Sequence, residues 1–366
     1  ARSLEQARRI GYRREGAADH PLFASNRSIE YEEWMWRCEQ AQPFRAFKTT
    51  PYAYVDTPEA LEQLASDLRG CREVAVDLEN HSMHSFQGFL CLMQVSTRAK
   101  DYIVDVIALR SQIGPKLAKI FADPKVVKVL HGAASDVVWL QRCFGVYLCN
   151  LFDTGQAARV LQLPSFSLAH LLQRYCNYTT DKRHQMADWR QRPLPDFLIR
   201  YARADTHFLL YIYDRIRIDL AAASAVPEHM KAALRPGLPP GRIGLVLHHS
   251  TELALQLYEK PCFTETAYLD YYHKQRVRFN ARQLAVFAGL FAWRDARARE
   301  RDESPEAVLA KQHLLQLCAK QPTTAKQVSR MAPRRRQLAA GDAEAVVGVM
   351  LAAHEQVVTH TVPSGD

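Results

Sequence analysis

The residues best equipped for chemistry are carboxylates. Asp77 and Glu79 sit in a stretch where Val74, Val76 and Leu78 alternate with Ala75, Asp77 and Glu79. A period of two predicts a strand, so the two acids share a face, with Cα atoms roughly 6.5–7 Å apart. Asp136 falls in the first turn of a helix predicted to start near Ser135, just after a buried strand over Val126–Leu130. The carboxyl end of a strand is where open α/β sheets place their sites. Tyr201 and Asp205 lie four apart in a helical stretch and so are neighbours on one face, with Cβ atoms about 5–6 Å apart. Each acid also has an ordinary explanation. The pair suits an exposed sheet face near a strand end, Asp136 suits the positive end of a helix dipole, and Asp205 could pair with Arg203 or Lys182.

Together they would be costly. Gathered carboxylates repel by about 1 kcal/mol per pair in water and about 4 kcal/mol at an effective dielectric of 20. A cation must offset that, and all-oxygen ligands select a hard ion, magnesium or manganese rather than zinc. A pair of such ions suits phosphoryl chemistry. The phenol of Tyr201 could hold a water or a phosphate oxygen beside them. Spacing alone does not bring the acids together.

The elements that would position them read clearly. Thr57 can cap a helix running to about Leu68, with Gly70 at its end. Strands over Phe89–Ser96 and Asp101–Val106, joined by the polar turn 97–100, predict an antiparallel hairpin. A helix follows to about Phe121. The helix carrying Asp136 should stop at Gly145, and a short strand should reach Phe152. Helices are then predicted over Gly155–Leu161 and Ser167–Cys176, and as one long element from Pro195 to about Ala221. Strands and helices on this schedule predict a mixed sheet flanked by helices. Pro227, Pro236, Gly237, Pro239, Pro240 and Gly241 mark a boundary. Beyond it the period is helical: Asn280 caps one helix, Ser304-Pro305 starts another, Pro322-Thr323 a third, and a last runs from Asp342 to about Val358.

Composition agrees with this picture. A length of 366 residues predicts two domains, and a charged fraction of 24% with 48% hydrophobic residues excludes a disordered chain. No signal peptide is expected in the arginine-rich opening. The apolar run Ala345–Ala353 is too short to span a bilayer and should be a buried helix segment. The opening at Ala1, without methionine, suggests a catalytic piece of something longer. The net charge of +9 favours polyanion partners. Eight scattered cysteines without a Cys-x-x-Cys pair predict reduced thiols, not disulfides or zinc. Arg8, Arg9, Arg13 and Arg14, and the run Arg334–Arg336, could guide a phosphate backbone or simply be solvated.

Three ordered motifs carry a resemblance. Val76-Asp77-Leu78-Glu79, the block His131–Gln141 around Asp136, and Tyr201-Ala202-Arg203-Ala204-Asp205 resemble the exonuclease motifs of the RNase D branch of the DEDD superfamily; the tyrosine marks its DEDDy subtype. The flanks Ser85–Thr97, Phe152–Arg159 and Ala187–Pro195 are similar to the eukaryotic nuclear-exosome exoribonucleases, and the match runs from about Arg45 to Ala352. The resemblance implies an α/β exonuclease with a DnaQ/RNase H-like mixed sheet and flanking helices (residues 51–225), followed by an all-α HRDC domain (274–358). An extension (1–50) and a linker (226–273) complete the chain. It implies two divalent cations, Mg2+ or Mn2+, held by Asp77, Glu79, Asp136 and Asp205, with Tyr201 orienting water. Ala134 and Ala204 stand where many relatives carry a second acid, which leaves Asp136 and Asp205 as sole candidates. His81, His84, Phe86 and Gln87 would line the entrance; Lys182, Gln185 and Trp189 would touch the terminal nucleotides. The implied setting is nuclear, enriched in the nucleolus, with the 3′ single-stranded end of RNA, the RNA exosome core and a small cofactor protein as partners. A bacterial-type ribonuclease D acting on tRNA 3′ ends and a non-catalytic RNA-binding scaffold are the alternatives; a DNA proofreading exonuclease fits less well.

Overall fold

A computed structural model describes residues 12–13, 19–223, 236–332 and 337–361. Arg8, Arg9, Arg14, the run Arg334–Arg336 and residues 226–235 of the Pro/Gly-rich boundary lie outside the described residues, as do the side chains of Arg13 and Lys182. The chain forms two compact units, residues 1–80 with 90–261, and residues 81–89 with 262–366. No helix among the described residues is long and apolar enough to cross a membrane. All eight cysteines are free thiols.

In the first unit two short helices, α1 (Phe23–Arg27) and α2 (Glu33–Trp36), precede the sheet. The elements that follow are β1 (Tyr52–Val55), α3 (Pro58–Arg69), β2 (Glu73–His81), β3 (Phe89–Ser96), β4 (Asp101–Val104), α4 (Arg110–Phe121), β5 (Val127–Leu130), α5 (Ala134–Phe144) and β6 (Leu151–Asp153). Five helices complete the unit: α6 (Thr154–Val160), α7 (Leu168–Cys176), α8 (Asp196–His207), α9 (Leu209–Ala222) and α10 (Arg242–Ala254). The strands lie in the order β1-β4-β3-β2-β5-β6. β1–β4, β2–β5 and β5–β6 are parallel, whereas β3–β4 is an antiparallel hairpin that sets Ser96 opposite Asp101. Local signals operate as their chemistry requires. The Thr57 hydroxyl accepts the Ala60 amide at 3.2 Å, and Gly145 ends α5 at φ 64°, a left-handed conformation that costs glycine little.

The sheet separates two cores. Val74, Val76, Leu78 and Leu130 point to one side, among Leu61, Leu64, Ile113, Leu117, Val137 and Leu140 of α3, α4 and α5. Ala75, Val127, Val129 and Phe152 point to the other, against helices α6, α7, α9 and α10. Asp77 and Glu79 continue the Ala75 face. Ala204 of α8 packs in that second core at 1% exposure, so a longer side chain there would meet filled space.

Two elements differ from expectation. The stretch from Pro195 to Ala221 is two helices, α8 and α9, separated at Phe208. Each half is fixed to different neighbours: α8 by Arg203 and His207 to Asp101, α9 by Tyr213 and Arg217 to backbone carbonyls of Met35 and Trp34. The period hid the break because both halves keep apolar faces. The stretch taken as linker contains α10, which buries Ile243, Leu245, Val246 and Leu247.

The second unit is helical: α11 (Ala267–His273), α12 (Ala281–Arg301), α13 (Pro305–Val308), α14 (Lys311–Lys320), α15 (Ala325–Met331) and α16 (Asp342–Thr361). Asn280–Gln283 and Thr324–Gln327 form reciprocal capping boxes. Its core gathers Phe287, Leu290, Leu314, Leu317, Val328, Val346 and Met350. The segment 81–89 belongs here. The Phe86 amide donates to Asp302 at 3.0 Å, and the Arg299 guanidinium sits 4.4 Å from the centre of the Phe86 ring.

Candidate metal centre

The second face of the sheet brings the acids together. Asp77, Glu79 and Asp205 place carboxylate oxygens within 4.8 Å of one another. Asp77 and Glu79 are partly buried; Asp136 and Asp205 are each 7% exposed. Asp136 stands outside that triad but near enough to Asp77 for their charges to interact. Among the described residues no Lys or Arg pairs with any of the four, and the polar side chain that reaches them is Gln94, whose amide donates to Glu79 at 3.4 Å.

Burial and mutual repulsion therefore go uncompensated by protein cations. Burial pushes the Asp77 carboxyl up to about 7. Glu79 is raised well above its ordinary value by burial and then by Asp77, Asp205 and Asp136. Asp136 and Asp205 are raised by burial and then by Asp77. Such a cluster of buried anions is the electrostatic demand that a hard divalent cation answers, and the donor set fits magnesium or manganese. A stability consequence follows. Asp77 holds its proton in the fold at pH values where the unfolded chain has lost it, so its contribution falls as pH rises from the unfolded carboxylate range through about 7, and the other three carboxyls are displaced in the same direction. A bound cation removes that penalty, and protons compete with it. Mn2+ should raise Tm more at about pH 8 than at about pH 5.5, by about twofold or more. Calorimetry at the two pH values checks this; an equal or reversed shift would deny the cluster a metal.

Local structure explains each position. Asp136 sits one turn into α5 because β5 ends at Leu130 and the chain turns through Gly132, at φ 68°. Asp153, fully buried, ties that turn down: its carboxylate accepts the Ala133 amide at 2.6 Å and the Gln156 amide at 2.7 Å. Tyr201 lies one helical turn before Asp205. Its ring packs against His184 at 5.7 Å and Trp189 at 6.0 Å, and burial and then Asp205, Glu79 and Asp77 raise its pKa, so its phenol keeps its proton.

The orientation of α8 rests on a buried network absent from the sequence reading. Arg203 does not reach Asp205. Its guanidinium donates to Asp101 at 2.9 Å and to the Thr50 carbonyl at 3.1 Å. Asp101 also meets His207 at 3.0 Å and accepts the Ser96 hydroxyl at 2.8 Å, while Ser96 meets Thr206 at 2.8 Å. Arg203, Thr206 and His207 thus fix α8 to the hairpin while Tyr201 and Asp205 face the other acids. No pattern in the sequence marks Asp101, because a polar residue at a strand start is common.

The expected RNA contacts fare unevenly. Trp189 is 2% exposed and packs against Tyr201, so it supports the phenol and offers no face to a base. Phe86 packs into the helical unit, beneath Arg299. His81 is buried, its Nε2 accepting the His84 amide at 3.0 Å. Trp189 and His81 are thus buried and Phe86 half-buried, each packed within its own segment. Gln185 and Gln87 are exposed.

Comparison with known proteins agrees with this architecture. The 3′–5′ exonuclease family matches residues 52–221 and the HRDC domain family residues 283–341. The chain is 46% identical over 301 residues to Protein RRP6-like 2 of Arabidopsis thaliana, covering 82% of this chain and 34% of that protein. It is 44% identical over 283 residues to human Exosome complex component 10, covering 77% of this chain and 30% of that one. The chain thus spans about a third of the length of these relatives. The crystal structure of the catalytic core of RRP6 from Trypanosoma brucei aligns with a TM-score of 0.79 at 34% identity, over 94% of this chain and 89% of that one. The chain belongs to the RRP6 family, as an α/β 3′–5′ exonuclease domain of mixed sheet and flanking helices followed by a helical HRDC domain.

Proposed function

We propose that the chain is a metal-dependent 3′→5′ exoribonuclease that removes nucleoside 5′-monophosphates from the single-stranded 3′ end of RNA. The observation that carries this is the meeting of Asp77, Glu79 and Asp205 within 4.8 Å, with Asp136 alongside and, among the described residues, no Lys or Arg paired with them. Asp77, Glu79, Asp136 and Asp205 would hold two divalent cations, Mg2+ or Mn2+. When bound, these ions supply an activated water and stabilisation of the leaving oxygen.

The chain's own residues position and insulate. Tyr201 keeps its hydroxyl proton and can donate it in a hydrogen bond to a water or a phosphate oxygen beside Asp205. The network around Asp101 holds α8 so that Tyr201 and Asp205 keep one orientation. Such preorganised charge and positioning is the main contribution a protein makes to phosphodiester hydrolysis. The relatives named for the exosome support association with an RNA exosome; a nuclear, nucleolar-enriched setting and a small cofactor protein that binds outside this chain or at its N-terminal extension belong to the same proposal.

Incubation with a 3′-hydroxyl single-stranded RNA should give stepwise shortening from the 3′ end with Mg2+ or Mn2+ and none with a chelator. Retained RNA binding without cleavage in either metal would favour the scaffold reading instead.

A further inference from the structure

We infer that Arg192 and Asp105 form a clamp that positions Tyr201 through Trp189, an assignment that rests on the nuclease reading above. The loop between Lys182 and Pro195 leads into α8. One side chain fixes it. Arg192 uses every N–H it has. Its Nε donates to Asp105 Oδ2; one terminal nitrogen donates to the carbonyls of Trp189 at 2.9 Å and Gln191 at 2.8 Å; the other donates to Cys91 O at 2.9 Å and Asp105 Oδ1 at 2.8 Å. Arginine has five donors in a rigid fork, and none is left over.

Asp105 is held in turn. Its Oδ1 accepts the amides of Ile107 and Ala108 at 3.1 Å each, and its Oδ2 accepts the Tyr54 hydroxyl of β1 at 3.2 Å. The clamp therefore joins three parts of the sheet to the Trp189 backbone: β1 through Tyr54, β3 through Cys91, and the end of β4 through Asp105. Trp189 is buried and lies against Tyr201. The Tyr201 hydroxyl has no hydrogen bond among the described residues, so packing alone sets the ring. Trp189 forms one wall of that packing and His184 the other, so what fixes Trp189 helps to fix the phenol. Lysine, a point charge without the fork, cannot reproduce this.

The experiment is a cycle of Arg192→Lys, Tyr201→Phe and the double variant, measured as single-turnover RNA hydrolysis in Mn2+. Arg192→Lys should lower kcat by about tenfold with KM and Mn2+ affinity within about threefold of the parent. In the Tyr201→Phe background the same change should cost less than about twofold, because the residue through which it acts is already lost. Fluorine NMR of the 5-fluorotryptophan-labelled chain, with Trp189 assigned by Trp189→Phe, should show the Trp189 resonance moved in Arg192→Lys. Tyr54→Phe, a milder loosening that folds more readily, should move it in the same direction by less.

Additive losses in the cycle, or a parental kcat in Arg192→Lys, overturn the clamp while leaving the nuclease intact. A parent that leaves RNA uncut in Mn2+ overturns the nuclease reading and the clamp's catalytic role with it.

Discussion

Asp136→Asn should lower kcat on RNA by on the order of 10³-fold, with RNA affinity within about threefold of the parent. The change is nearly isosteric and removes a buried carboxyl whose ionisation is opposed by burial and by Asp77. On the proposed reading it takes away one metal ligand and leaves the RNA contacts untouched. The same substitution should raise Tm in chelator, because a buried carboxylate repelled by its neighbours is replaced by a neutral amide. The opposed signs are the informative part: a residue held for stability would lose both activity and Tm. Single-turnover hydrolysis, fluorescence anisotropy with labelled RNA, and calorimetry in chelator measure the three quantities. Digestion at the parental rate would remove Asp136 from the metal centre.

Asp101→Ala should destabilise the fold by about 3–5 kcal/mol, the usual cost of stranding a buried charge by deleting its partner. Asp101 is 1% exposed and serves Arg203, His207 and Ser96 together, so its loss strands several groups at once. Metal affinity should fall too, since Asp205 sits on the helix this network fixes. Urea titration and Mn2+ binding test the pair of effects. A loss below about 1 kcal/mol would mean that packing against Ala204 and its neighbours, and not the charge network, sets the position of α8.

The sequence carried a good deal of this. The alternation over Glu73–Glu79 placed Asp77 and Glu79 on one face, and the structure extends that strand to His81 with those faces intact. Capping and start signals located the helices at Thr57, Asn280 and Ser304, where side chains accept the amides three residues on. These signals are local, and local chemistry decides them. The convergence of residues 77 and 205 is not local, and no spacing rule contains it; only the resemblance of three motifs supplied it. What stayed illegible was the support. Nothing in the sequence marked Asp101, Asp105, Asp153 and Arg192 as buried supports, because burial of a paired charge is decided by the partner it meets in space. Trp189 and Phe86 were open to two readings for the converse reason: an aromatic residue suits a base or a core equally well until the surrounding volume is known.

The path of the chain just past Glu79 bears on any attempt to dissect the molecule. Residues 81–89 leave the exonuclease and are built into the helical unit, where Asp302 caps Phe86 and Ser304 donates its amide to the Met83 carbonyl at 3.2 Å. The two units are thus interleaved in sequence, not strung end to end. Excising the HRDC portion after Pro261 would leave an orphaned loop with an unhoused Phe86 five residues beyond the end of the strand that carries Asp77 and Glu79. Modular engineering of this chain therefore needs a graft that replaces the loop as well as a stop codon.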